Sequence, residues 1–327
     1  MKKINYLKNV WKLICVNSIN EIFFINDNKL FVKSNQYENL IVFNNFKCEI
    51  IELWREGFLI NEDFYYEENF SDYLFEKNIY KQLIINKSEL IIKKIDFINE
   101  IVLFGNFNYE TRQVNWFKED FIPPFFLLTE TSFLAKFNNQ FSCITNCDNE
   151  IWQLNLEDLV QSTTINTYPE LYLSNDKIYF YLSSNNRKGL FCIDVNTGKE
   201  LFLYSDCFGF LVQDENFIYS SKFNNVLCII NTLTNEYLEW NVDALIKENG
   251  FESIHDHRCF AKDGLVYFTQ TLGDIKSKIG ILNPSTKELI WKYEFEPNNG
   301  AIGSIQVNGD RLYVHTQDQT LHIFENE

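Results

Sequence analysis

The hairpin at residues 189–204 constrains this chain more than any other stretch. An apolar run over 190–193 meets Asp194-Val195-Asn196-Thr197-Gly198-Lys199, and a second apolar run over 201–204 follows. Two short β-rich runs around an Asn/Thr/Gly cluster read as a hairpin, with Gly198 free to take positive φ. A lone hairpin is marginal in water, so this one needs neighbours of its own kind. The sequence supplies them: residues 225–238 and 278–291 repeat the order of apolar run, polar turn and apolar run. Each copy follows an earlier strand introduced by a turn, at 175–180, 214–219 and 263–268, and a further strand copy stands at 308–314. Weaker relatives lie upstream at 28–32 and 132–136.

A bulky residue closes each hairpin, in the series Trp11, Trp54, Trp116, Trp152, Phe202, Leu238 and Trp291, with intervals of 36 to 62 residues. A period of roughly 35–50 residues with four strands per unit is the mark of a β-propeller. The last unit, over 301–324, supplies only about three strands, and Trp11 arrives with no strands before it. The economical expectation is that residues near Tyr6 to Ile14 complete the final blade, which removes both open edges. Seven anchors then predict one all-β domain over 1–327, a propeller of seven four-stranded antiparallel blades. Six or eight blades stay open, because the second unit is blurred. The longer intervals hold insertions: short helical turns are expected at about 155–162 and 242–248, and an acidic, aromatic insertion at about 58–80.

Composition agrees with that architecture and narrows the function. A chain of 327 residues is long enough for two ordinary domains or one large all-β domain, and 46% hydrophobic residues provide a sizeable core. The 31 Phe and 17 Tyr favour strands, while 12 Gly and 5 Pro argue against a disordered or collagen-like chain. A formal charge of −16 argues against nucleic-acid binding, since phosphate repels such a surface, and favours a basic partner. Residues 1–12 begin as a signal peptide does, but Lys8 and Lys12 interrupt the apolar run and no small-residue cleavage site follows. No apolar stretch approaches the eighteen or so residues of a membrane span. The expectation is a cytoplasmic protein without membrane contact, its eight cysteines reduced and buried.

Residues 189–202, and more loosely 279–291, resemble the repeat of the pyrroloquinoline-quinone-like propellers, the quinoprotein-dehydrogenase-like superfamily. That repeat is a strand, an aspartate, Thr-Gly-Lys and a bulky terminal residue. Asp194, Thr197, Gly198 and Lys199 fit it, with Phe202 where the family usually has Trp; in the later copy Asn283 replaces the aspartate and Ser285-Thr286-Lys287 replaces Thr-Gly-Lys. The likeness covers about 125–327 well and the first hundred residues only by spacing. It implies a propeller. A dehydrogenase of this class would hold a quinone and a calcium ion at the ring axis, generally outside the cytoplasm. This chain shows no export signal, no adjacent-cysteine pair and no calcium cluster, and is short for the class. A noncatalytic member without cofactor or metal is expected, because one fold hosts many functions.

Other candidate chemistry is thin. His255, His257 and Cys259 would share one face of a strand and could converge on zinc, yet no second ligand pair accompanies them, so a turn entering a blade is the better reading. Cys143 and Cys147 have the spacing of a metal or disulfide pair, but Cys143, Cys192 and Cys228 recur about ten residues before their anchors, which marks core positions. The four histidines and the serines form no nucleophile–base–orienter order, and Gly198, Gly264 and Gly309 are turn glycines outside any phosphate-binding loop.

The most unusual composition lies between Glu62 and Tyr73, with five acids, no base and five aromatics. Glu62, Asp63, Tyr65, Tyr66, Glu67, Glu68, Phe70, Asp72 and Tyr73 are the expected protein-binding residues: the rings supply rigid contact area and the carboxylates steer and pair with Lys or Arg. The competing reading is a solvated loop or a hairpin extension of the second blade. The resulting expectation is a noncatalytic scaffold. Small acidic cytoplasmic members of this superfamily look like immunity proteins of bacterial toxins, which makes a basic toxin or effector domain the expected partner. The alternative is an enzyme or small-ligand binder using the axial pocket, signalled by two acids and a His converging there. A third is an assembly factor bound to a long-lived complex.

Overall fold

A computed structural model divides the chain into two compact units, Met1–Glu56 with Asp206–Glu327 and Gly57–Ser205. Before residue 89 it describes strand backbones only. From 89 onward it also describes side chains, except those of 96–100, 109–110, 112, 118–123, 130, 146–148, 169, 208, 256–257, 272–276, 308–310, 319, 321 and 325–327. The described residues contain thirty strands, β1–β30.

In the first unit, β2 (Ile19–Asn26), β3 (Lys29–Ser34), β4 (Glu38–Asn44) and β5 (Lys47–Leu53) form one antiparallel sheet. A second holds β20 (Leu211–Asp214), β21 (Phe217–Lys222), β22 (Val226–Asn231) and β23 (Tyr237–Asn241). A third holds β24 (Phe260–Lys262), β25 (Leu265–Leu272), β26 (Lys276–Asn283) and β27 (Glu288–Glu294). The last is β28 (Ile302–Asn308), β29 (Arg311–Thr316) and β30 (Thr320–Glu325), completed by β1 (Lys2–Lys8). The N-terminal strand therefore closes the final sheet, as expected, but it is residues 2–8 that pair with β30, from Lys2↔Glu325 to Lys8↔Thr320. Trp11 and Trp54 lie outside the described residues.

The second unit opens with a separate hairpin, β6 (Gly57–Ile60) and β7 (Asp63–Tyr66). Three four-stranded sheets follow. They are β8 (Ile79–Ile84), β9 (Glu89–Asp96), β10 (Ile101–Asn108) and β11 (Gln113–Trp116); β12 (Pro124–Thr129), β13 (Ser132–Phe137), β14 (Gln140–Thr145) and β15 (Glu150–Asn155); and β16 (Asn166–Ser174), β17 (Lys177–Ser183), β18 (Lys188–Asp194) and β19 (Glu200–Ser205). Seven four-stranded sheets thus stand among the described residues, six of them simple up-and-down meanders and the seventh closed by β1 from the other end of the chain. Within each unit the first strand of one sheet lies beside the first strand of the next: β20, β24, β28 and β2 in the first unit, β8 and β12 in the second.

Among the described residues, two short α-helices stand at the crossings. Helix α1 (Leu156–Val160) is capped by Asn155, whose side chain accepts from Glu157 N at 3.0 Å; α2 (Asp243–Glu248) carries an Asp243–Lys247 pair one turn apart. No helix among the described residues is long and apolar enough to cross a membrane.

The burial of each strand follows its place in the sheet. In β17 and β18 the five central residues are all buried, so these strands read as unbroken apolar runs, whereas β27 alternates exposed with half-buried. Phenylalanines fill the space: Phe180 lies 5.2 Å from Phe141 edge-on and stacks at 6.4 Å on Phe191, and Phe251 sits 4.8 Å from Phe268.

The turn between third and fourth strands is built alike in three sheets. Asp194 Oδ1 accepts from the N–H groups of Asn196 and Thr197 at 3.0 and 2.8 Å and from the Thr197 hydroxyl at 2.8 Å. Asn231 Oδ1 does the same for Leu233 and Thr234, and Asn283 Oδ1 for Ser285 and Thr286. Such side-chain turns are why Asp and Asn recur here. Four positions on, the chain enters the left-handed region, at Gly198 (φ +67°), Asn235 (+62°) and Lys287 (+57°). Only Gly198 is tied to glycine by packing as well. A Cβ there would stand 2.5 Å from Trp152 Cε3, and the Trp152 indole N–H donates to the buried Val195 carbonyl at 2.8 Å.

Two opposed substitutions follow. Gly198→Ala adds both left-handed strain and a clash with the indole, and is expected to lower the unfolding free energy by roughly 2–3 kcal/mol. Lys287→Gly relieves φ strain with no packing change, and is expected to be neutral or stabilising by at most about 1 kcal/mol. Urea unfolding of both variants beside the wild type decides; equal losses would refute the packing role of Gly198.

Candidate protein-binding surface

The acidic, aromatic run begins in the β6–β7 hairpin, whose register runs Gly57↔Tyr66, Phe58↔Tyr65, Leu59↔Phe64 and Ile60↔Asp63. Asp63, Tyr65 and Tyr66 are on β7. Glu62, Glu67, Glu68, Phe70, Asp72 and Tyr73 lie outside the described residues. The hairpin belongs to none of the four-stranded sheets. It is thus a two-stranded ribbon added to the repeat.

A second surface was hidden behind the anchor series. Of the bulky residues that close the hairpins, Trp152 is buried, at 8% exposure. Trp116, Phe202 and Leu238 are not: with Ile151, Leu201 and Ile290 they stand 38–52% exposed. All six lie on β11, β15, β19, β23 or β27, the outermost strands of their sheets. Exposed carboxylates flank them, Glu150 beside Ile151, Glu200 beside Leu201, Glu239 beside Leu238 and Glu288 near Ile290. Outer strands carry a free edge, and charge on it prevents edge-to-edge pairing. The apolar residues between those charges offer contact area for a partner. The bulky residues were visible in sequence; which face of the strand they occupy was not.

The remaining candidates resolve into structure. His255 is half-buried, its Nδ1 3.0 Å from Ser221 Oγ and its ring edge-on to Phe223 at 5.8 Å, and burial holds its pKa below the usual imidazole value. Asp256 and His257 lie outside the described residues, and among the described residues no group of three or more His, Cys, Asp or Glu is placed to hold a metal. Ser221 is fully buried, so its contact with His255 does not present a nucleophile to solvent. Cys143, Cys192 and Cys228 are buried free thiols on β14, β18 and β22, in keeping with core positions; burial pushes Cys143 and Cys192 up to about 11. Cys147 lies outside the described residues. The Asp194–Lys199 motif that carries the family resemblance is occupied in closing its turn and seating Trp152, a task of folding.

No protein-family model and no curated protein matches the chain by sequence. Solved structures do match by shape. The computationally designed Ika8 protein is 12% identical over 94% of this chain and 96% of its own, with a TM-score of 0.58. Sqt1 of Saccharomyces cerevisiae is 9% identical over 100% of each chain, at 0.56. The WD40 beta propeller domain of Doa1 covers 100% of this chain and 97% of its own at 11% identity, with a looser TM-score of 0.45. The fold is a β-propeller. Identities this low carry the architecture and nothing of activity.

One buried titratable group in this propeller has a measurable signature. His315 on β29 is 4% exposed, and burial pushes its pKa down to about 4, with Asp318 pulling weakly the other way. The folded state keeps this imidazole neutral while the unfolded chain protonates it near 6.5, so stability is full above pH 6.5 and declines as pH falls toward 4. The interval is worth roughly 3 kcal/mol. Unfolding free energies at pH 7 and pH 4 are expected to show that extra loss in the wild type relative to His315→Gln; parallel pH profiles would refute it.

Proposed function

We propose that this chain is a noncatalytic protein-binding scaffold and, more finely, a cytoplasmic immunity protein that captures and neutralises a basic toxin or effector domain. The observation that carries the reading is the charge of −16 together with the run from Glu62 to Tyr73, where five acids and five aromatics stand without a base. Carboxylates accelerate encounter with a basic partner, and Tyr and Phe supply low-entropy contact area once it has docked. The exposed apolar residues among carboxylates on the outer strands support the same kind of partner. The Asp194–Lys199 turn with Trp152 docked on it supports placement in the pyrroloquinoline-quinone-like superfamily, without that family's dehydrogenase chemistry.

The test begins with affinity capture of the tagged chain from its source cells and identification of what is retained. One basic protein at about one-to-one is expected. Replacing Glu62, Asp63, Glu67, Glu68 and Asp72 by their amides is then expected to slow association roughly 10- to 100-fold and to flatten its salt dependence, leaving the circular dichroism spectrum unchanged. Recovery of the chain alone would sink the immunity reading. An unchanged on-rate in the amide variant would remove this stretch as the site.

A further inference from the structure

We propose that Cys207 and Cys228 are an oxidisable dithiol that hydrogen peroxide joins in an intramolecular disulfide. The two sulfurs are 3.3 Å apart, within a thiol–thiol hydrogen bond, and both residues are fully buried. A disulfide of about 2.05 Å needs them to close by roughly 1.3 Å more. Cys228 is fixed at the middle of β22, between Ser220 on β21 and Glu239 on β23. Cys207 lies outside the strands, in the segment between β19 and β20, so it can supply the movement without breaking a ladder.

The surroundings are polar where the other core cysteines have an aromatic ring. Cys143 faces Trp152 and Cys192 faces Phe202 across the third-to-fourth strand ladder, whereas Cys228 faces Glu239. The Tyr237 hydroxyl donates to Glu239 Oε1 at 2.6 Å and lies 3.5 Å from Cys207 Sγ and 3.4 Å from Cys228 Sγ. Lys222 Nζ pairs with Glu239 at 2.6 Å. The hydrogen bond with Cys228 holds the Cys207 thiol below its ordinary value, against the opposing effect of burial, while Cys228 is pushed up. Cys207 is therefore the attacking sulfur. Its thiolate attacks one peroxide oxygen, the O–O bond breaks, and hydroxide leaves and takes the Cys207 proton as water. The sulfenic acid formed is attacked by Cys228 sulfur; the S–O bond breaks and the second water departs with the Cys228 proton. Two thiols lose two electrons and one peroxide becomes two waters. The closed burial of the pair selects a small neutral oxidant over a bulky disulfide.

The folded full-length chain, treated with hydrogen peroxide and digested without reductant, is expected to yield a Cys207–Cys228 cross-linked peptide two hydrogens lighter than its reduced parts and restored by dithiothreitol. The cross-link is expected to raise Tm by roughly 5 °C, since it closes a loop of about twenty residues. In Cys228→Ala the sulfenic acid has no resolving thiol, so Cys207 is expected to be trapped by dimedone with no rise in Tm. Free thiols at both positions after Cys259, a free thiol that is only half-buried, has been oxidised would overturn the proposal. So would Cys207 driven to sulfinic acid without any cross-link. Both are read on the wild-type chain, whatever the folding of the variant.

Discussion

The third-to-fourth strand turn is the constraint on which three of the sheets depend. An Asp or Asn side chain at positions 194, 231 and 283 takes up the backbone N–H groups that would otherwise be left open, and four residues later the chain must pass through left-handed φ. Where nothing packs on that residue, Asn235 or Lys287 tolerates it; where Trp152 from the preceding sheet lies against it, only Gly198 fits. The indole N–H on the Val195 carbonyl then turns a local hairpin into a contact between sheets. A single turn therefore sets strand reversal, register and the seat of the neighbour, which is why it recurs with so little variation.

Those same turns made most of the fold legible in the sequence. Apolar runs flanking an Asp/Asn cluster gave the strand order of β17–β19, β21–β23 and β25–β27, and the unfinished last sheet called for an N-terminal strand. The bulky Trp11 draws the expected strand to residues near 6–14 instead of 2–8. The true strand breaks its alternation at the register shift between Lys3 and Asn5, which blurs its period. The face of the fourth strand was also out of reach. A bulge on the fourth strand, at Ile151 and at Leu201, brings Trp152 and Phe202 opposite Cys143 and Cys192. The β22–β23 ladder has no such shift, so Glu239 takes the place opposite Cys228 and Leu238 falls on the other face. Spacing alone cannot reveal a bulge.

The candidate sites divide along the same line. Composition located the run from Glu62 to Tyr73, because five acids without a base are visible with no knowledge of structure, but it carried no geometry beyond a turn. Cys207 with Cys228 left no signal at all. Their separation of 21 residues matches no metal-ligand spacing, and the contact exists only because the irregular segment before β20 returns to the third strand of the sheet it enters. The missing bulge contributes to this pair too. By putting Glu239 where an aromatic ring stands in two other sheets, it leaves a polar frame in which Tyr237 and Lys222 surround the thiols.

Acidity and edge protection are one property of this chain seen twice. A sheet that ends in a free outer strand must discourage pairing with other chains, and Glu150, Glu200, Glu239 and Glu288 on those strands do so by charge. Glu200 is already paired with Arg187 and Glu239 with Lys222, but Ile151, Leu201, Leu238 and Ile290 stay exposed between the charges, available to a partner that can satisfy Glu150 and Glu288. An acidic or neutral protein meets the repulsion and the desolvation cost without compensation. A basic one cancels both and gains the apolar contact, so the charges that keep the edges apart also select the partner under the proposed reading.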